Sequence, residues 1–135
     1  MNRLDSKKRS AMMAKIRGKN TSPEIAVRKL LHSLGYRFRL HRKDLPGKPD
    51  IVLPRYKAVI LVHGCFWHRH KECKYAYSPK SNVEFWQKKF DANLARDAKV
   101  EAQLLDAGWR YCIIWECEVS NLDVLREKLV AFLSH

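Results

Sequence analysis

The eleven residues His63-Gly-Cys-Phe-Trp-His-Arg-His-Lys-Glu-Cys73 hold three histidines, two cysteines and two adjacent aromatics. Cys65, His70 and Cys73 are metal-type donors at short spacing, and Cys117 in Trp115-Glu-Cys117 offers a fourth from a distant strand end. Zinc favours such mixed Cys/His tetrahedra. Four ligands of that kind leave His63 and His68 free, and His68 could accept a proton from an attacking water. A carboxylate to match them is Asp50, directly after Pro49 at the start of a strand. If residues 51–53 and 57–62 form a hairpin, Asp50 and His63 share one end of the sheet. A carboxylate there could hold Mg2+, which takes oxygen ligands and keeps several waters. Glu24 and Asp97 could converge on the same place. Each also has a plainer reading, Glu24 as a helix cap and Asp97 as a solvated helix residue.

The elements that must position these groups follow from the pattern. Thr21-Ser-Pro-Glu24 opens a helix as a capping box with Pro in its first turn. Ile25, Val27, Leu30, Leu31 and Leu34 give it a buried face, and Gly35 stops it. Tyr36-Arg-Phe-Arg-Leu-His41 alternates like a half-exposed strand. Ile51–Leu53 is a strand, and Pro54-Arg-Tyr56 turns the chain. Lys57–Val62, almost wholly apolar, is a central strand. Ser81-Asn-Val-Glu84 reads as a second capping box, starting a long helix that ends near Ala107 with Gly108 as its cap. Trp109–Trp115 is a strand, and Leu122–Leu133 a closing amphipathic helix. The order α-β-β-β-α-β-α predicts an α/β fold with a mixed central sheet flanked by helices. Cys112, inside an apolar strand, is most simply a buried small side chain.

The chain has 135 residues, of which 46% are apolar, enough for one domain with a real core. Lys and Arg number 27 against 14 acidic residues, a net charge of +13 that points to a polyanionic partner. Residues 1–20 form a basic arm with seven Lys or Arg against Asp5. No apolar run suits a membrane span or an export signal, so a reduced, cytoplasmic, metal-binding protein fits the cysteines better than disulfides do. Phe66-Trp67 lies in a polar loop, where two large rings either pack inward or serve as a wedge between base pairs. Trp86 has the same two options.

Pro46-Gly-Lys-Pro-Asp50, Val62-His-Gly-Cys-Phe-Trp-His68, Glu84-Phe-Trp86, Asn93-Leu-Ala-Arg-Asp97 and Trp115-Glu-Cys117 together resemble the very short patch repair endonuclease (Vsr) family. The resemblance runs in unbroken order from about Ser10 to Cys117. It implies a restriction-endonuclease-like fold over residues 21–135, with 1–20 as a DNA-contacting arm. It further implies nicking of one DNA strand on the 5′ side of the thymine in a T:G mismatch left by 5-methylcytosine deamination. By the same resemblance Asp50 and the Val62 carbonyl would bind Mg2+, His68 would be the general base and His63 would assist at the scissile phosphate. Glu24 would hold metal-bound water, and Asp97 would support the histidines. Cys65, His70, Cys73 and Cys117 would bind a structural zinc. Phe66, Trp67 and Trp86 would form the wedge, and Met13 would contact the duplex from the other groove. The implied setting is a monomer in a bacterial cytoplasm, beside the nucleoid. There it is linked to a DNA cytosine methyltransferase and to mismatch-repair proteins. One departure from most restriction-type nucleases is visible: the strand ending Ile60-Leu-Val-His63 carries no acidic-x-Lys motif.

Overall fold

A computed structural model describes residues 21–134. Helix α1 (Ser22–Ser33) begins where the Thr21 hydroxyl accepts the Glu24 amide at 3.4 Å, with Pro in the first turn. It ends at Gly35, whose φ of 87° is open to glycine at little cost. Strands β1 (Arg39–Leu40), β2 (Ile51–Leu53) and β3 (Ala58–His63) follow, β2 and β3 joined by a 3-10 turn over Pro54–Tyr56. Helix α2 (Val83–Asp106) leads to β4 (Arg110–Trp115), a second 3-10 turn (Glu116–Ser120) and helix α3 (Leu122–Leu133).

The four strands lie in sequence order, antiparallel from β1 to β3 and parallel between β3 and β4. A parallel pair needs a long crossover, and the Cys/His loop with α2 supplies it. Because alternate side chains point to opposite faces, the sheet buries two layers. Ile51, Leu53, Ala58, Ile60, Cys112 and Ile114 pack with α1 and α3, while Val52, Val59 and Leu61 pack with Leu104 and Trp109. Burial on both faces is why β3 reads as a continuous apolar run. Cys112 sits in the first layer as a small buried side chain.

Two local expectations give way. The strand expected over residues 36–41 narrows to Arg39–Leu40, because β2 offers a short partner and His41 leaves the extended region with φ 50°. Tyr36 and Phe38 pack against the core instead. The capping box at Ser81 does not form either. Asn82 precedes α2 in the left-handed region (φ 54°), with no side-chain cap. No helix among the described residues is long and apolar enough to cross a membrane.

Candidate active site and metal centre

The hairpin register sets Ile51 opposite Ile60, so Asp50 reaches the exit of β3, where its Oδ2 accepts the Val62 amide at 3.0 Å. His63, the last residue of β3, is buried. His68, in the following loop, stacks on it with ring centroids 3.8 Å apart and planes 9° from parallel. From α2, Asp97 Oδ2 meets His68 Nδ1 at 2.6 Å. Asp97 is therefore turned into the site rather than left on a solvated face. With Nδ1 engaged, Nε2 is the His68 nitrogen left to exchange a proton.

Glu24 is 1% exposed. Thr21 caps the helix by itself, while the Glu24 carboxylate turns inward to Arg28 and to His41 Nε2, the latter at 2.7 Å. Glu24, Asp50, Val62, His63, His68 and Asp97 all line one cleft of about 680 Å³. Burial, then the neighbouring Glu24, push Asp50 up to about 6 against the opposing pull of the Val62 amide. Burial and the adjacent His68 push His63 down to about 4, so it is neutral at pH 7. The His63 Nδ1 is buried without a partner among the described residues. A buried carboxylate whose charge the fold resists suits a cation, which would offset that charge. The polar atoms of Asp50, Glu24 and His41 lie within 4.8 Å of one another, and the two carboxylates could hold one, with His41 against Glu24.

The second cluster is separate. Cys65, His70, Cys73 and Cys117 bring their ligating atoms within 4.8 Å of one another. His70 Nδ1 lies 3.6 Å from Cys65 Sγ and 3.5 Å from Cys117 Sγ. The edge of a tetrahedron around zinc, from ordinary Zn–S and Zn–N lengths, is about 3.6 Å. The four donors thus fit that ion in kind and spacing. Burial pushes the Cys65 thiol up to about 12, so a metal is needed to hold it as thiolate. Trp115 stacks on the His70 ring at 4.1 Å, and Glu116 Oε1 accepts the Cys65 amide at 2.9 Å. The loop after β3 is thereby tied to the end of β4.

The loop aromatics Phe66 and Trp67 pack against rings on α2. Phe66 lies 5.1 Å from Trp67, 5.4 Å from Trp86 and 5.3 Å from the buried Phe90, measured between ring centroids. Phe66, Trp67 and Trp86 are each half-buried, neither core nor free surface. Sequence reasoning missed three supports. Arg69 spreads its guanidinium 3.8 Å over Phe90 and donates to the Phe66, Ala76 and Tyr77 carbonyls. Asn93 donates to the Trp67 carbonyl at 3.1 Å. His41 on Glu24 is the third. Arg69 and Asn93 stood within the motifs already singled out, but His41 had no local signal. Met13 and the arm 1–20 lie outside the described residues.

A mixed sheet that brings an aspartate, a histidine–aspartate pair and a further carboxylate into one cleft, on a strongly basic chain, defines a restriction-endonuclease-like nuclease fold. The chain belongs to the Vsr family: the family model described as DNA mismatch endonuclease Vsr matches residues 1–75. It is 54% identical over 127 residues to the type II nicking enzyme V.XorIIP of Xanthomonas oryzae pv. oryzae, covering 94% of this chain and 93% of that one. It is 47% identical to the type II nicking enzyme V.NmeAIP of Neisseria meningitidis serogroup A, over 90% of this chain and 86% of the relative. With the DNA mismatch endonuclease Vsr of Escherichia coli K12 it shares 39% identity over 93% of this chain and 77% of the relative.

Proposed function

We propose that this endonuclease nicks duplex DNA on the 5′ side of the thymine in a T:G mismatch left by deamination of 5-methylcytosine, and so initiates very short patch repair. The observation that carries the reading is the His68–Asp97 pair facing Asp50 across one cleft. Asp50 and the Val62 carbonyl would hold a divalent cation, Mg2+, and Glu24 would orient water beside it. Bound there, it would supply positive charge to offset what develops on the phosphoryl group and the leaving 3′ oxygen. His68 Nε2 takes the proton of the attacking water, and Asp97 stabilises the resulting imidazolium. His63, held neutral, donates a hydrogen bond to the scissile phosphate without adding charge. Zinc on Cys65, His70, Cys73 and Cys117 braces the loop that carries His68. Phe66, Trp67 and Trp86 enter the base stack at the mismatch, whose weak pairing lowers the cost of deformation.

The arm 1–20 contacts DNA, with Met13 reaching the other groove, and 21–135 is the endonuclease domain. One nick needs one site, so a monomer suffices. The substrate arises where a cytosine methyltransferase acts, which links the two enzymes functionally and places this one beside the nucleoid in the cytoplasm. Mismatch-repair proteins are further functional partners in this reading.

Incubation of a T:G duplex with enzyme and Mg2+, with analysis of the product ends, tests the reading. A 5′-phosphate beside a 3′-hydroxyl is expected. An abasic site would indicate a base-excising enzyme, and binding without cleavage a DNA-binding module braced by zinc. His68→Ala should lower the nicking rate by about 10²–10⁴-fold, the span of general-base contributions, with mismatch affinity within a few-fold. Asp97→Asn should lower it by a comparable factor, up to about 10⁴-fold, since an amide removes the counter-charge and can hold the imidazole in the wrong tautomer. Near-normal nicking by His68→Ala would remove it from the mechanism.

A further inference from the structure

We infer that His41 is a positioning residue that holds the Glu24 carboxylate in register with Asp50, and so sets the cleft's affinity for its divalent cation. The inference rests on the cation reading above. His41 follows β1 and touches both acidic residues by different atoms. Its amide donates to the Asp50 carbonyl at 3.1 Å, extending the ladder one step past Leu40 opposite Ile51. Its Nε2 meets Glu24 Oε2 at 2.7 Å, across 17 residues of chain. Arg28 also engages Oε2, from four residues on in the same helix. His41 ties α1 to the sheet. Glu24 itself lines the cleft beside Asp50.

The backbone supports the assignment. His41 has φ 50°. A left-handed conformation costs a side-chain-bearing residue about 1 kcal/mol, and it persists where surrounding contacts over-determine it. Here those contacts are the two hydrogen bonds to the acidic pair. Two buried carboxylates in such proximity repel each other unless a donor or a cation stands between them. His41 supplies the donor and keeps Glu24 from turning away. Partners that orient metal-site groups in this manner typically change affinity by about 10–100-fold when removed.

The test compares the zinc-loaded wild type with His41→Leu and His41→Gln. Gln can place an amide nitrogen near the position of Nε2. Four readouts are needed: Mn2+ binding to the DNA-free protein by electron paramagnetic resonance, half-saturating Mg2+ in nicking, T:G duplex affinity without Mg2+, and melting temperature. His41→Leu should weaken Mn2+ binding and raise the half-saturating Mg2+, each about 10-fold. The rate at saturating Mg2+ and the duplex affinity should stay within about 2-fold. His41→Gln should recover most of the loss. Unchanged Mn2+ binding in His41→Leu would overturn the inference, as would equal impairment in His41→Gln. So would a loss of duplex affinity and melting temperature that no Mg2+ concentration repairs, since that marks a role in the fold alone. If the wild type binds Mn2+ but leaves T:G duplexes intact, the proposed function fails, and the Mn2+ measurement still decides the case of His41.

Discussion

Asp50→Asn should slow nicking by at least about 10³-fold while making the magnesium-free protein more stable. In the proposed mechanism, loss of the carboxylate removes the anchor for the cation, whose charge stabilisation is worth several kcal/mol, and ~4 kcal/mol corresponds to that factor. The stability gain has a separate origin. Asp50 is raised from 3.8 to about 6, first by burial and then by Glu24. A raised carboxyl stabilises the fold fully below its unfolded value and loses that contribution as pH climbs through about 6. At pH 7 without Mg2+ it is therefore a charge the fold resists. Asparagine carries no charge there, and its side-chain oxygen can still accept the Val62 amide. After a discount for partial exposure, the gain is about 1–2 kcal/mol, or roughly 3–8 °C in melting temperature. His63, lowered to about 4 by burial and by His68, titrates in the opposite sense, favouring the fold at higher pH. The difference between wild type and Asp50→Asn isolates the aspartate: it should vanish near pH 4 and grow towards pH 7. Calorimetry across that range in Mg2+-free buffer checks it. Equal stability at pH 7 would mean that Asp50 is not strained in the empty cleft.

Cys117→Ala should cost the protein its zinc and with it both chemistry and mismatch binding, yet leave most of the fold. Cys117 is the donor that links the loop after β3 to the end of β4. The two buried layers lie around the sheet and include none of the four ligands, Cys65 being buried outside them. Structural zinc sites contribute about 10–16 kcal/mol in small peptides that fold only with metal, but here the sheet core remains without it. Loss should fall on the loop: His68 leaves Asp97, and Phe66 leaves Trp86 and Phe90. Nicking should drop by at least about 10²-fold, through displacement of the general base alone. Zinc content by mass spectrometry should fall from one equivalent, with little change in far-ultraviolet circular dichroism. A zinc-free variant that still nicked well would show that the brace is dispensable.

Much of this architecture was legible along the chain because its signals are local. The continuous apolar run of β3, the Thr21 cap and the glycines at 35 and 108 each act within a few residues, and the element order follows from them. The Cys/His cluster was legible because three donors sit within nine residues. What escaped was decided at long range. Glu24 has the spacing of a capping residue, yet its side chain swings to His41, a partner 17 residues away. Whether Asp97 faced solvent depended on the rotation of α2 against a loop whose own shape is set by the Cys/His cluster. Asn82 lost its cap because the backbone before α2 turns left-handed, which a capping pattern does not reveal. Physical reasoning also left the aromatics undecided between core and wedge, and they are half-buried, with Arg69 against Phe66 and Phe90.

The central claim is that this cleft cuts one chosen strand at a mismatch. Single-turnover nicking of a duplex with both strands end-labelled, comparing T:G with T:A at one position in Mg2+, tests it most directly. The account predicts a single cut 5′ of the thymine in the T:G duplex, none in the complementary strand and at least about 10²-fold slower cleavage of T:A, the cost of unstacking a sound pair being a few kcal/mol. Equal cleavage of T:A, or cuts in both strands, would contradict it.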